Sequence, residues 1–141
     1  MKKYEDIVFE KMIHLVRNDN AEARTWLIDN DCEELVQWWD AVERVEKSFQ
    51  WLLDHKYLQL AAIVDAYDEN DKAKVFLLAS GNRELAAFVE ASLGSKKAMM
   101  WLIQYHHNGW ALLAKEIYEK DKKKDSGGFF GAFFSLGNPF R

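Results

Sequence analysis

The chain has 141 residues, 49% of them hydrophobic and 14% aromatic, enough for one domain with a stable core. Its formal net charge of −4 disfavours a nucleic-acid surface, and no run approaches the ~20 apolar residues of a membrane-spanning helix. Cys32 is the only cysteine, which excludes an intramolecular disulfide and fits a reducing, cytoplasmic setting.

The opening residues Met-Lys-Lys-Tyr-Glu-Asp turn acidic at once and lack the apolar core of a signal peptide. Within residues 4–17, Tyr4, Ile7, Val8, Ile13, Leu15 and Val16 form a helical stripe broken by charged side chains. A single N-terminal helix is expected there, covering the open end of a repeat array.

The array is visible as a fixed spacing. Trp26, Trp51, Phe76 and Trp101 stand 25 residues apart, each followed by Leu (Leu27, Leu52, Leu77, Leu102) and then by Ile28, Leu53, Leu78 or Ile103. A constant period of this size marks units that bury their apolar faces only against neighbours. Three consecutive apolar positions cover most of a helix circumference, so this first helix of each unit is expected to have neighbours on several sides. The second half of the first unit reads Leu35, Trp38, Trp39, Val42, the i, i+3, i+4, i+7 stripe of an amphipathic helix. Later units carry the same stripe, including Tyr67 and Ser92 at its last position. Each unit is therefore a helical hairpin.

Local punctuation agrees with this division. Asn20, Asn70 and Ser95 share a column just before the first helix and can cap it, while Val45 breaks the column. Asp31 with Glu34 reads as a capping box opening the second helix. Ser80-Gly81-Asn82 and Asn108-Gly109 mark the turn between helices, and Gly94 suits a helix end. Ala41, Ala66 and Ala91 form a small-residue column that lets neighbouring units approach, and Glu116 replaces them in the last unit. There it is expected to face solvent, as the polar outer surface of a terminal repeat.

The fold class expected is all-α: a short α-solenoid of four 25-residue two-helix repeats behind an N-terminal capping helix. This repeat domain spans residues 1–124, and a Gly/Phe-rich tail occupies 125–141. The architecture resembles ankyrin, HEAT and tetratricopeptide arrays. Its period is shorter than theirs and their consensus residues are missing, so no family is assigned.

No phosphate loop, nucleophile elbow or paired-carboxylate arrangement is present. His106-His107 occupies a turn column without metal-ligand spacing nearby, and Cys32 has no aligned His–Asp partner. No catalytic residue, cofactor or metal is expected. Trp38 and Trp39 diverge by ~100° around their helix, so packing is the default for both but one can remain partly exposed. Beside Glu34, Gln37 and Asp40, such a Trp would suit a binding hot spot. Charge is asymmetric: residues 1–71 hold 17 acids and 8 bases, and residues 72–141 hold 6 acids and 11 bases. A partner with a basic surface is expected for the acidic half. The tail gathers Phe129, Phe130, Phe133, Phe134 and Phe140 within twelve residues, which suits an apolar groove on a partner or self-association. Its Asn138-Pro139-Phe140 resembles the tripeptide bound by EH domains, a likeness of three residues only.

The function expected is a non-enzymatic protein-binding or assembly module. Its alternatives are a small acidic inhibitor or immunity-type protein that blocks a basic partner, and an enzyme with a site built from scattered residues.

Overall fold

A computed structural model describes residues 2–123. Among these it contains helices α1 (Asp6–Asn18), α2 (Ala21–Asp29), α3 (Glu33–Val42), α4 (Glu46–Asp54), α5 (Leu58–Tyr67), α6 (Asp71–Ala79), α7 (Arg83–Ser92), α8 (Lys96–Gln104) and α9 (Asn108–Lys123), and no strand. From α2 onward, helices of the same kind begin 25 residues apart, at 21, 46, 71 and 96 and at 33, 58, 83 and 108. None of the described helices is long and apolar enough to cross a membrane.

The helix starts follow from the caps. Asn20 Oδ1 accepts from the Ala23 N–H at 2.8 Å, Asn70 Oδ1 from Ala73 at 3.1 Å, and Ser95 Oγ from Ala98 at 3.1 Å. Each satisfies a donor that the helix itself leaves free. Val45 has no side-chain acceptor, and α4 begins without a side-chain cap.

Two left-handed columns end the helices. Asp31, Lys56, Gly81 and His106 have φ between 63° and 84°, and Asp19, Arg44, Glu69 and Gly94 lie between 50° and 107°. In most of these turns the next residue donates back across the helix end, as in Cys32 N–H to Leu27 O at 2.8 Å and Val45 N–H to Asp40 O at 3.0 Å. Glycine supplies this conformation once per column. The expected capping box is not formed. Asp31 is the left-handed turn residue, Cys32 takes the N-cap position, and Glu34 is directed elsewhere.

Packing is where the array departs from an open stack. Each hairpin pairs an even helix with the odd helix that follows it. The odd helices also contact one another in succession, α1 to α3, α3 to α5, α5 to α7 and α7 to α9, and α9 then packs along α1. The chain closes on itself. α1 seals the seam between the first and last hairpins rather than covering one end.

The closed arrangement has an aromatic centre. Trp38 lies 5.9 Å from Phe88 between ring centroids, Phe88 4.9 Å from Trp110, and Trp110 5.0 Å from Phe9. The Phe88–Trp110 and Trp110–Phe9 pairs are edge-to-face, a geometry favoured by ring quadrupoles. Tyr67 Oη donates to Ser92 Oγ at 2.9 Å, and Ser92 Oγ donates to Phe88 O at 2.8 Å. This buried polar pair, one repeat apart in sequence, is thereby satisfied.

Glu116 is buried, contrary to the solvent-facing position expected for a terminal unit. It accepts from Arg17 Nη2 at 2.6 Å and Nε at 3.2 Å across the α1–α9 seam. The physical reason is the closure itself: something does stack beyond the final unit. At the other end of the seam, Gly109 admits the Phe9 ring. A Cβ on residue 109 would lie 2.2 Å from Phe9 Cδ2 and 2.6 Å from Cγ.

Candidate interaction surface

The face expected from sequence around Trp38 and Trp39 is not a free surface. Their exposures are 1% and 2%. α3 is contacted by α2, α4, α5 and α1, so both of the diverging Trp directions meet other helices. Glu34 is buried as well. Tyr4 Oη donates to Glu34 Oε2 at 2.8 Å, and Lys2 Nζ lies 2.9 Å from the same oxygen. Burial first, and then the Glu34 charge, hold the Tyr4 hydroxyl far above its usual titration range. Gln37 Nε2 donates to Glu33 Oε2 at 3.2 Å, and Asp40 is held by Arg24 at 2.8 and 3.0 Å. These residues stabilise the first hairpin and its junction with the N-terminus. The Trp hot spot is thus overturned, and the acidic side chains beside it are engaged within the chain.

The histidine and cysteine positions have packing roles. His107 lies flat over Trp101, with centroids 5.6 Å apart and planes 12° apart. His55 stacks on Trp51 at 3.9 Å, and Tyr57 lies parallel to that ring at 5.8 Å. Cys32 is buried, and burial, followed by the Glu34 charge, raises its thiol above the usual value. Such a thiol disfavours the nucleophilic thiolate. Among the described residues, no group of three or more His, Cys, Asp or Glu could hold a metal ion.

What the structure exposes is the outer row. Only the Leu27, Leu52, Leu77 and Leu102 column is fully buried on the even helices, at 0%. The adjacent column, Ile28, Leu53, Leu78 and Ile103, is 38–57% exposed. Each even helix packs against the helices before and after it and still leaves an outward apolar surface. Its three consecutive apolar residues combine one fully buried Leu, one outward aliphatic position, and an aromatic position that is packed on the core at Trp26, Trp51 and Trp101 and exposed at Phe76.

This surface is richest on α6 and α8, where Val75, Phe76, Leu78, Met100 and Ile103 are all exposed. Val75 and Met100 continue a column that holds Thr25 and Gln50 in the first two hairpins. That shift from polar to apolar was the available sequence signal. Between α6, α7 and α8 lies a groove of about 400 Å³ floored by Leu77, Leu78, Ala86, Ala87, Ala98 and Trp101. Lys74, Arg83, Lys97 and Glu90 stand on its walls, and Lys74 reaches Glu90 at 3.7 Å.

A second, more polar cavity of about 670 Å³ opens where α3, α4 and α5 meet, with Arg44, Phe49, Gln50, Asp65 and Asp68 on its wall. Arg44 grips the buried Asp68 through Nη2–Oδ1 at 2.8 Å and Nη1–Oδ2 at 3.2 Å. Asp65 lies half-buried beside this pair. Burial first, then the Asp68 charge, raise its carboxyl above the usual range, with Arg44 opposing.

A carboxyl whose folded-state pKa exceeds its unfolded value binds more protons when folded. Stability is then lost as pH rises from the unfolded value through the folded one. Asp65→Asn is accordingly expected to melt above the parent at pH 7 and level with it near pH 3, as read by thermal denaturation at both pH values. A melting point lower than the parent at pH 7 would contradict this sign.

Phe129, Phe130, Phe133, Phe134 and Phe140, and the expected boundary at residue 124, lie outside the described residues. Comparison with protein families, with curated proteins and with solved structures finds no match.

Proposed function

We propose that the protein is a non-enzymatic assembly module of four hairpin repeats, in which the α6–α8 groove of one copy receives the Phe-rich segment 129–140 of another. The observation that carries this reading is the exposed apolar row of α6 and α8, which meets this groove at Leu78. Contiguous apolar surface of this kind commonly marks a docking site, and Trp101 in its floor is the residue type enriched at hot spots. An alternative target for the tail, the end of the last hairpin, is already covered: Ile117 is fully buried and Trp110 packs on Phe9 and Tyr4.

Magnitudes bear on the stoichiometry. Burying one Phe contributes roughly 1.5–3 kcal/mol, whereas association costs on the order of 4–15 kcal/mol. Two Phe from a single tail barely offset the low end of that cost. A reciprocal exchange, with each copy giving a tail and receiving one, doubles the buried aromatic surface for a single association event. The reading therefore favours a symmetric dimer.

Sedimentation of the full chain tests it. Leu78→Glu with Lys97→Glu, both exposed positions on the groove wall, spoils the groove but leaves the tail, and Phe133→Ser with Phe134→Ser does the reverse. Each double variant alone should be monomeric with an unshifted melting transition. Mixing the two leaves one intact groove and one intact tail, so a heterodimer should form, but only at concentrations well above those that dimerise the parent, because one groove–tail contact replaces two. A parent chain that is monomeric throughout, or variants that associate as the parent does, would refute the proposal.

A further inference from the structure

The repeats differ at one internal ion pair, and the difference falls in the cavity where α3, α4 and α5 meet. In the first hairpin Asp40 of α3 meets Arg24 of α2, sixteen residues earlier, with both carboxylate oxygens engaged at 2.8 and 3.0 Å. In the third, Glu90 of α7 meets Lys74 of α6, again sixteen residues earlier, at 3.7 Å. The corresponding carboxylate of the second hairpin is Asp65 of α5, and the residue in the cation column is Phe49 of α4. Among the described residues no cation lies within ion-pair distance of Asp65.

Phe49 and Asp65 both line the cavity of about 670 Å³ described above. Its other charged groups are Arg44, Lys47, Glu46 and Asp68, of which Arg44 and Asp68 are bound to each other. The place where sibling repeats put their own cation is here an open space with a carboxylate at one side and an aromatic ring at another.

We propose that this cavity is a receptor site for a guanidinium on an alkyl stem, the side chain of an arginine presented by a partner protein. The first hairpin shows the chemistry in cis: a short Asp side chain at this register takes a guanidinium through two parallel N–H···O bonds, the arrangement for which the planar Arg fork is suited. The Phe49 ring, with Val45 and Val64 also in the wall, supplies surface for the methylene stem and a face on which a cation can rest. An ammonium has no such fork to match. The wall's Asp68 cannot compete, since Arg44 already fills both its oxygens. This site stands apart from the apolar groove on α6 and α8 and does not depend on the tail.

The test is a nuclear magnetic resonance titration of the isotope-labelled full chain with N-acetyl-arginine amide, and with N-acetyl-lysine amide as comparator. Arginine amide should give saturable shifts at backbone amides of residues 44–50 and 64–69, with a dissociation constant on the order of a millimolar. Lysine amide should bind several-fold more weakly. Asp65→Asn should abolish saturation. Phe49→Arg, which rebuilds the pair of the first hairpin, should block the site by filling it from within while the protein remains folded. Absence of saturable shifts in the parent, equal affinity for the two amides, or an unchanged response in the folded Phe49→Arg protein would overturn the assignment.

Discussion

Phe88→Ala is expected to destabilise the protein by about 3–5 kcal/mol, the range for truncating a fully buried Phe. The ring is wholly inaccessible and touches Trp38, Tyr67 and Trp110 at centroid distances of 5.9, 6.5 and 4.9 Å. Those partners come from α3, α5 and α9, so they cannot collapse into the void without moving three helices. In an open repeat array such damage stays with the altered unit and its two neighbours. Here the loss should lower a single cooperative transition, measured by urea denaturation followed both by circular dichroism and by Trp fluorescence. Two separated transitions would indicate units that fail independently.

The second large effect is expected at Gly109. Ala is ordinarily the better helix former by roughly 1 kcal/mol, and residue 109 lies in the first turn of α9, where even that gain is small. Against it stands the Phe9 ring, whose Cδ2, Cε2 and Cγ atoms would lie 2.2–2.6 Å from the new methyl. Phe9 is itself wedged against Tyr4 and Trp110, so it cannot swing aside freely. Gly109→Ala should therefore cost about 1–3 kcal/mol, as overpacked cores do. Chemical denaturation of the variant measures this directly. A stabilised variant would mean that propensity wins and that the seam is looser than described.

The local elements were legible from sequence because their causes are local. A capping side chain acts within three residues, as at Asn20, Asn70 and Ser95, and the left-handed turn columns sit at fixed distances from the Leu column. The closure was not legible in the same way. It joins residues about a hundred positions apart, Arg17 to Glu116 and Phe9 to Gly109, and depends on curvature that no periodicity encodes. Trp38 and Trp39 are buried because α1, α2, α4 and α5 all pack against α3, so the expected hot spot failed for a tertiary reason. Conversely, Trp26-Leu27-Ile28 and its copies look the same whether a helix is enclosed or presents an apolar surface to a partner. Only the placement of the even helices outside the odd ones separates the two cases.

The outer apolar row is outward because the odd helices close around the aromatic centre, and Phe9 meets Gly109 across that closure. Nuclear Overhauser contacts between the Phe9 ring protons and the Gly109 α-protons test it most directly. The closed arrangement predicts strong cross-peaks and an upfield ring-current shift of those α-protons. Gly109 α-protons at unperturbed positions, with no contact to α1, would describe an open stack and contradict it.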